Sequence, residues 1–122
     1  TYSQWYLGTS DGTNRGAIYA DNSNQIGFLN NLGSFAFKLD ANKQATFYNH
    51  VLPQANNSYD LGTTNYRWRN IYTNDLNLSN EGGKNDVDGT WGSFTIQEGA
   101  EDLFLVNKRN GKKYKFNLTE VS

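Results

Sequence analysis

Aromatic residues recur in the first half of the chain at a nearly fixed interval. Tyr19, Phe28, Phe37 and Phe47 are nine, nine and ten residues apart, and the clusters ADNSNQ, LNNLG and DANKQ lie between them. Asn, Asp and Gly favour tight turns because they bond the local backbone or accept left-handed φ angles. Strands at this interval, with turns between them, are typical of a β-sandwich, a β-barrel or a stacked β-repeat. The sequence therefore predicts a mainly β fold.

The apolar side chains of these strands need a second layer to cover them. In SFAFKLD, strict alternation places Phe35, Phe37 and Leu39 on one face of a strand, and Ala36 and Lys38 on the other. A strand with one apolar face must pack against another element. Only 36% of the 122 residues are apolar, and small domains bury a lower fraction of their surface than large ones. We therefore do not expect a large interior within one copy.

A different period occurs between residues 58 and 79. Trp68, Ile71 and Tyr72 are three and four residues apart, a spacing that predicts one side of a short helix near 64–72, and residues 63–65 offer side chains that cap a helix. Because this spacing places the Trp68 ring beside Ile71 and Tyr72, we expect the ring to lie in a core or a subunit interface rather than to bind a ligand.

Alternation returns on the carboxyl side of this predicted helix. Leu76 and Leu78 share one face of a predicted strand. Residues 80–90, NEGGKNDVDGT, contain three Gly, several charges and few apolar side chains, which predicts a linker. The sequence thus divides into 1–57, a turn-helix-strand segment at 58–79, the linker at 80–90, and a last β unit at 91–122.

The last unit contains a predicted β-hairpin. Its strands flank Asn110 and Gly111, the pair typical of a two-residue type I′ turn. That loop would place Leu105 opposite Phe116 and Lys108 opposite Lys113, among other pairs. Like charges opposite each other reduce stability. Five of the eleven basic residues lie within eight positions here.

Two interpretations of this basic cluster remain open. It can bind anionic groups on a cell envelope, or it can keep a sheet edge from pairing with foreign strands. Trp91, at the start of the last unit, offers a ring that can stack on a sugar. The candidate receptor-binding residues are Trp91, Lys108, Arg109, Lys112 and Lys113.

Few residues offer catalytic chemistry. His50 is the only histidine, Cys is absent, and YNHVLP has no nucleophile signature. Glu98, Glu101 and Asp102 contain enough carboxylates for glycoside hydrolysis if two of them are held apart across a sugar, but a solvated charged turn explains them as well and is the interpretation we favour. We therefore expect no catalytic residue.

Other ligand classes also lack a strong signal. The stretches DNSN at 21–24 and NDVD at 85–88 contain oxygen ligands, but neither fits the calcium-binding loop, so we expect no metal and no cofactor. A net charge of −1 directs the protein towards neither nucleic acid nor an anionic membrane. The apolar runs are too short to span a bilayer, so we expect no membrane insertion. The chain contains no Met, which we interpret as an excised piece of a longer protein.

Two segments together carry a resemblance to a known family. NNSYDLGTTNYRWRNIYTNDLNLS resembles the LG…RW…IY…DL segment of many tailed-bacteriophage tail fibres and tailspikes, which precedes their carboxy-terminal assembly region. GSFTIQEGAEDLFLVNKRNGKKYKFNLTEV is similar to the closing module of some phage fibre proteins. Many relatives continue into a self-cleaving chaperone domain with a Ser-Lys dyad, and no such dyad is recognisable after Ser79.

The resemblance implies a fibrous, parallel homotrimer with short antiparallel or interwoven strands. Residues 1–57 would form a shaft, and 91–122 a carboxy-terminal tip. The resemblance further implies a virion location outside the cell, attachment to a host-surface glycan or other envelope receptor, and contact with other tail proteins. A glycan-cleaving tailspike module and a monomeric carbohydrate-binding β-sandwich remain as alternatives. The residues implied at the trimer joint are Leu61, Gly62, Trp68, Ile71, Tyr72, Leu76 and Leu78.

Overall fold

The computed structural model describes all residues, Thr1–Ser122. The chain forms two antiparallel sheets and has no helix. The mainly β prediction is confirmed. The sheets have the strand orders β1-β2-β3-β4-β5 and β6-β7-β8-β9, and each lies in one of two compact units, Thr1–Leu61 and Gly62–Ser122. The strands are β1 (Tyr2–Gly8), β2 (Asn14–Asp21), β3 (Ile26–Asn30), β4 (Phe35–Leu39), β5 (Ala45–Phe47), β6 (Leu76–Ser79), β7 (Ser93–Glu98), β8 (Leu103–Asn107) and β9 (Lys113–Lys115).

Three turns of the first sheet repeat one geometry. Asp21, Asn30 and Asp40 each accept, through one side-chain oxygen, backbone N–H groups from the residues two and four positions later. Each also pairs its backbone with the residue four positions later, as in a three-residue hairpin loop that ends in a left-handed residue. The turn clusters are therefore correctly predicted. The left-handed residues are Asn24, Gly33 and Lys43.

A β-bulge in β4 changes which aromatic side chains share a face. Phe35 and Phe37 pair with consecutive residues of β3, so Ala36 has no partner on that strand. An extra residue of this kind reverses the alternation of side chains. The prediction that Phe35 shares a face with Phe37 and Leu39 is therefore wrong for Phe35, which lies on the opposite face.

The second sheet begins with the strand predicted around Leu76 and Leu78. These leucines pair with Ile96 and Phe94 of β7 and lie on one face, as predicted. Residues 80–90, predicted as a linker, lie within the second unit and connect the neighbouring strands β6 and β7. On the other face the buried Thr95 donates a hydrogen bond from Oγ1 to the side chain of Asn77, at 2.6 Å.

The β8–β9 hairpin has a four-residue loop rather than the predicted two-residue loop. Leu105 pairs with Tyr114, not with Phe116. The backbone N–H of Asn107 donates to the carbonyl oxygen of Lys112 at 2.8 Å, which closes the loop earlier than a type I′ turn would. The predicted register is therefore wrong by two residues. Because the shift is even, the apolar side chains keep the same face.

The helix predicted near 64–72 is absent, and residues 48–75 contain no strand. A tight turn occupies its place: Thr63 and Tyr66 exchange backbone hydrogen bonds of 3.0 and 3.2 Å, and Thr63 Oγ1 also accepts from the Tyr66 N–H at 3.1 Å. Thr and Asn favour such local bonds over helix. No helix of a length and apolar character that would cross a membrane is present.

One copy of the chain has a very small interior. Apart from two glycines, Ala17 and Leu29 are the buried apolar residues and Thr95 is the buried polar one. No large side chain is fully buried, and 24 large hydrophobic side chains are exposed. Soluble monomers rarely leave large contiguous apolar surfaces in water. A single copy therefore lacks the core that normally stabilises a chain of this length.

Candidate functional site

Most residues implied at the trimer joint have side chains that are open to solvent in one copy. Trp68 is 64% exposed and Tyr72 is 92% exposed. They do not share a helical face, since their segment is irregular, and Leu61 is the last residue of the first unit. The other exposed members are Leu61, Ile71, Leu76 and Leu78.

Gly62 has a local structural role beside Trp68. Its φ is +88°, a left-handed value. A methyl group on its Cα would lie 2.8 Å from the carbonyl oxygen of Tyr66 and 3.6 Å from the Trp68 ring. Glycine is therefore required by both the backbone angle and the available space. This contact explains the LG…RW spacing: the missing side chain leaves room for the turn and for the indole ring.

The structure separates the basic residues of the hairpin. Lys108 and Arg109 lie in the loop, whereas Lys113 and Lys115 lie on β9, at the edge of the sheet. Lys113 pairs with Val106, so the like-charge pair predicted with Lys108 is absent. A short edge strand with lysines at both ends is a common protection against foreign strands. The edge-protecting interpretation therefore suits Lys113 and Lys115.

Arg109 instead contacts Trp91, a residue 18 positions earlier. Its guanidinium carbon lies 3.8 Å from the centre of the Trp91 ring, within the range of a cation–π contact. Its Nη1 also donates a 2.8 Å hydrogen bond to the Trp91 carbonyl oxygen. Two candidate receptor-binding residues, Trp91 and Arg109, are thus in direct contact. Because the guanidinium covers one face of the indole, a planar ligand has only the other face to stack on.

A cleft of about 530 Å³ adjoins this pair. Polar side chains dominate its wall, and the segment predicted as a linker contributes several of them. Amide, carboxylate and hydroxyl groups around an aromatic ring can bind a hydroxyl-rich ligand. The lining residues are Asn85, Asp88, Thr90, Trp91, Gly92, Phe94, Asn107, Arg109 and Asn110.

Hydrogen bonds order the loop that lines the cleft. Asp88 Oδ1 accepts from Asn85 Nδ2 at 2.7 Å, from Thr90 Oγ1 at 2.7 Å and from the Thr90 N–H at 3.0 Å. The Thr90 hydroxyl, followed by the Asn85 amide, lowers the pKa of Asp88 below its usual range because these bonds favour the charged carboxylate. Asn85 Oδ1 in turn accepts from the backbone N–H of Val87 and that of Asp88.

Sequence reasoning did not assign Asn85, Asp88 or Thr90 to a binding site. It considered NDVD only as a source of metal ligands, and the structure shows oxygen atoms of Asn85 and Asp88 engaged in turn hydrogen bonds. The signal that would have identified the loop is the spacing N-x-x-D-G-T, since Asn, Asp and Thr bond backbone groups two or three residues away.

The acidic cluster forms a charged turn. Glu98 ends β7, and Asp102 accepts a backbone hydrogen bond from Gly99. The Asp102 carboxylate lies 3.3 Å from Lys115 Nζ, so it forms an ion pair. His50 is exposed, and its backbone N–H donates to the side chain of Asn49. No group of three or more His, Cys, Asp or Glu residues could hold a metal ion.

Comparison with known proteins adds no assignment to these sites. A scan against protein-family models gives no match, and searches of curated proteins and of solved structures also give none.

Proposed function

We propose that this chain is a structural and host-attachment segment of a tailed-phage fibre, which forms a homotrimer and presents its carboxy-terminal unit to the host surface. The observation that carries the proposal is the small interior of one copy, with Ala17 and Leu29 as its buried apolar residues outside glycine. Other copies of the chain supply the missing cover, because symmetric association buries the same apolar surfaces on every subunit.

The exposed joint residues support association along the middle of the chain. A segment of 28 residues, 48–75, lacks strands and helices, and such long irregular segments are uncommon in self-contained domains. It carries Trp68, Ile71 and Tyr72 in the open. Contact with sister copies buries these apolar side chains. The resemblance of this segment to tail fibres favours three copies.

The cleft beside Trp91 supports the attachment role. It combines the partly exposed indole ring of Trp91 with the guanidinium of Arg109, and Lys108 lies beside Arg109 in the same loop. These groups suit a sugar that carries a carboxylate or a phosphate, because the ring stacks on the sugar and the cations pair with the anionic group.

Sedimentation and native mass measurement test the assembly. We expect a trimer at micromolar concentration, and a stable folded monomer would contradict the proposal. A glycan array then tests attachment, with Arg109→Glu as the variant and Lys113→Glu as its control, since Lys113 lies outside the cleft. We expect only Arg109→Glu to lose binding to anionic glycans. Equal loss in both variants would show that general charge, not the cleft, binds the glycan.

A further inference from the structure

The two faces of the first sheet differ in chemistry. One face contains an unbroken row of cross-strand partners through all five strands: Trp5, Ile18, Phe28, Phe37 and Phe47. We call the face that holds this row the phenylalanine face. Its other members in the paired strands are small, amide-bearing or aliphatic, and none is charged: Ser3, Leu7, Gly16, Ala20, Ile26, Asn30, Leu39 and Ala45.

The opposite face, which we call the tyrosine face, carries hydroxyl groups and charges. The Tyr19 hydroxyl donates to the carboxylate of Asp21 at 3.2 Å, and Lys38 Nζ lies 5.6 Å from the centre of the Phe35 ring. Polar tips of this kind remain hydrated while the rings beneath them pack together. Aromatic side chains on this face are Tyr2, Tyr6, Tyr19, Phe35 and Tyr48.

The bulge at Ala36 helps to produce this separation. It places Phe35 on the tyrosine face, where its ring lies 5.3 Å from that of Tyr19 and 5.7 Å from that of Tyr48. Phe37 remains on the phenylalanine face, 4.9 Å from the ring of Phe47. Trp5 and Phe47 on that face are still 69% and 52% exposed. This face thus leaves the rings of Trp5, Phe28 and Phe47 open to water, and Ser3 and Asn30 are the only polar side chains among its paired members.

We infer that the phenylalanine face packs against the same face of other copies of this chain, an inference that depends on the proposed homo-oligomer. A sister copy is the occupant because none of the paired positions on the face carries a charge that would repel itself, and a charged partner would find no counter-charge there. The charged Arg15, which is unpaired at the bulge in β2, forms an ion pair with Asp11 at 3.4 Å. Interlocking aromatic rings can fill such a contact at interior density.

The size of the face fits a part of a larger interface. Five strands at ~4.8 Å spacing and about six residues at ~3.3 Å give roughly 24 by 20 Å, or ~480 Å². A stable interface buries about 800 Å² per partner. The phenylalanine face therefore requires further contacts elsewhere in the chain, and its test needs the full chain.

Two neighbouring residues of β1 provide a matched test. Trp5 lies on the phenylalanine face and Tyr6 on the tyrosine face, and they are 69% and 62% exposed in one copy. We expect Trp5→Glu to raise the dissociation concentration of the trimer by ~30-fold or more, the loss typical of one interface Trp, and Tyr6→Glu to leave it unchanged. A trimer that tolerates Trp5→Glu, or that only Tyr6→Glu weakens, would overturn the inference and leave the proposed function intact. A wild-type monomer would overturn both.

Thiol labelling gives a readout that does not depend on a disruptive charge. The chain contains no Cys, so Ser3→Cys and Tyr6→Cys each introduce a single thiol, on the phenylalanine face and the tyrosine face respectively. In the assembled protein we expect maleimide to react at least ~10-fold more slowly with the thiol at position 3 than in urea-dissociated chains, and equally fast with the thiol at position 6. Equal reactivity at position 3 before and after dissociation would contradict the inference.

Discussion

Truncation of Trp68 should affect assembly more than the fold of one copy. A Trp side chain exposes up to about 250 Å², of which the structure leaves 64% uncovered. One copy therefore covers only about 90 Å² of the ring, worth ~2 kcal/mol at 25 cal/mol per Å². The remaining ~160 Å² is worth ~4 kcal/mol per copy if sister chains bury it. We expect Trp68→Ala to lose up to ~2 kcal/mol within the copy and a further ~4 kcal/mol per subunit from assembly.

Urea unfolding at two protein concentrations, together with sedimentation, separates the two losses. An oligomer gains stability with protein concentration, whereas a monomer does not. Wild-type protein should show this dependence, and Trp68→Ala should dissociate at concentrations where the wild type remains trimeric. Tyr6→Ala is the control, because Tyr6 has a similar exposure of 62% and lies on the tyrosine face. If Trp68→Ala and wild-type protein dissociate at the same concentration, Trp68 has no part in the interface and the reasoning is refuted.

Three further predictions concern the second unit. Gly62→Ala should lower the free energy of unfolding in urea by about 2–4 kcal/mol, because it adds a clash with the Tyr66 carbonyl to the strain of a left-handed Ala. The control is Gly82→Ala, which has a similar φ but open space around it. It should show only the backbone strain of about 1–2 kcal/mol. The folded chain holds the pKa of Asp88 below its usual value near 4, so the Asp88 carboxylate stabilises the fold at pH values above that usual pKa. This stabilisation is lost as the pH falls through the lower pKa of the folded state. Acid unfolding should show this loss in the wild type but not in Asp88→Asn. Arg109→Ala should cost about 1–2 kcal/mol and Arg109→Lys less, and both should change the intrinsic fluorescence by an amount that is absent when Trp91 is replaced by Phe.

The local features of the fold were predictable because short-range chemistry determines them. The side-chain oxygens of Asp21, Asn30 and Asp40 close their turns within five residues, so composition and spacing identified these turns. The bulge was not predictable, because SFAFKLD alternates perfectly and only pairing with β3 reveals the extra Ala36. In the last hairpin the side chain of Asn107 bonds the loop backbone, which favoured a longer loop than Asn-Gly suggested.

The helix prediction failed for a different physical reason. The spacing of Trp68, Ile71 and Tyr72 satisfied a helical period, but the first turn would consist mainly of Thr64, Asn65 and Tyr66, which are weak helix formers and make the costly helix nucleus less favourable. Thr63 used its capping hydroxyl to close a two-residue turn with Tyr66 instead. The candidate cleft was also only partly predictable. The sequence identified Trp91 and Arg109 separately, and their contact depends on the pairing of β7 and β8.

The second sheet repeats the arrangement found in the first. Leu76, Ile96, Leu105 and Tyr114 are successive cross-strand partners through all four of its strands, and Leu76 and Tyr114 are each 46% exposed. Two sheets with different sequences thus each leave part of an apolar row exposed. A ligand or a foreign partner bound to one unit would leave the row of the other unit in water. Association with sister copies would cover the row of each unit with the same kind of contact, which is why we favour it over a separate partner for each unit.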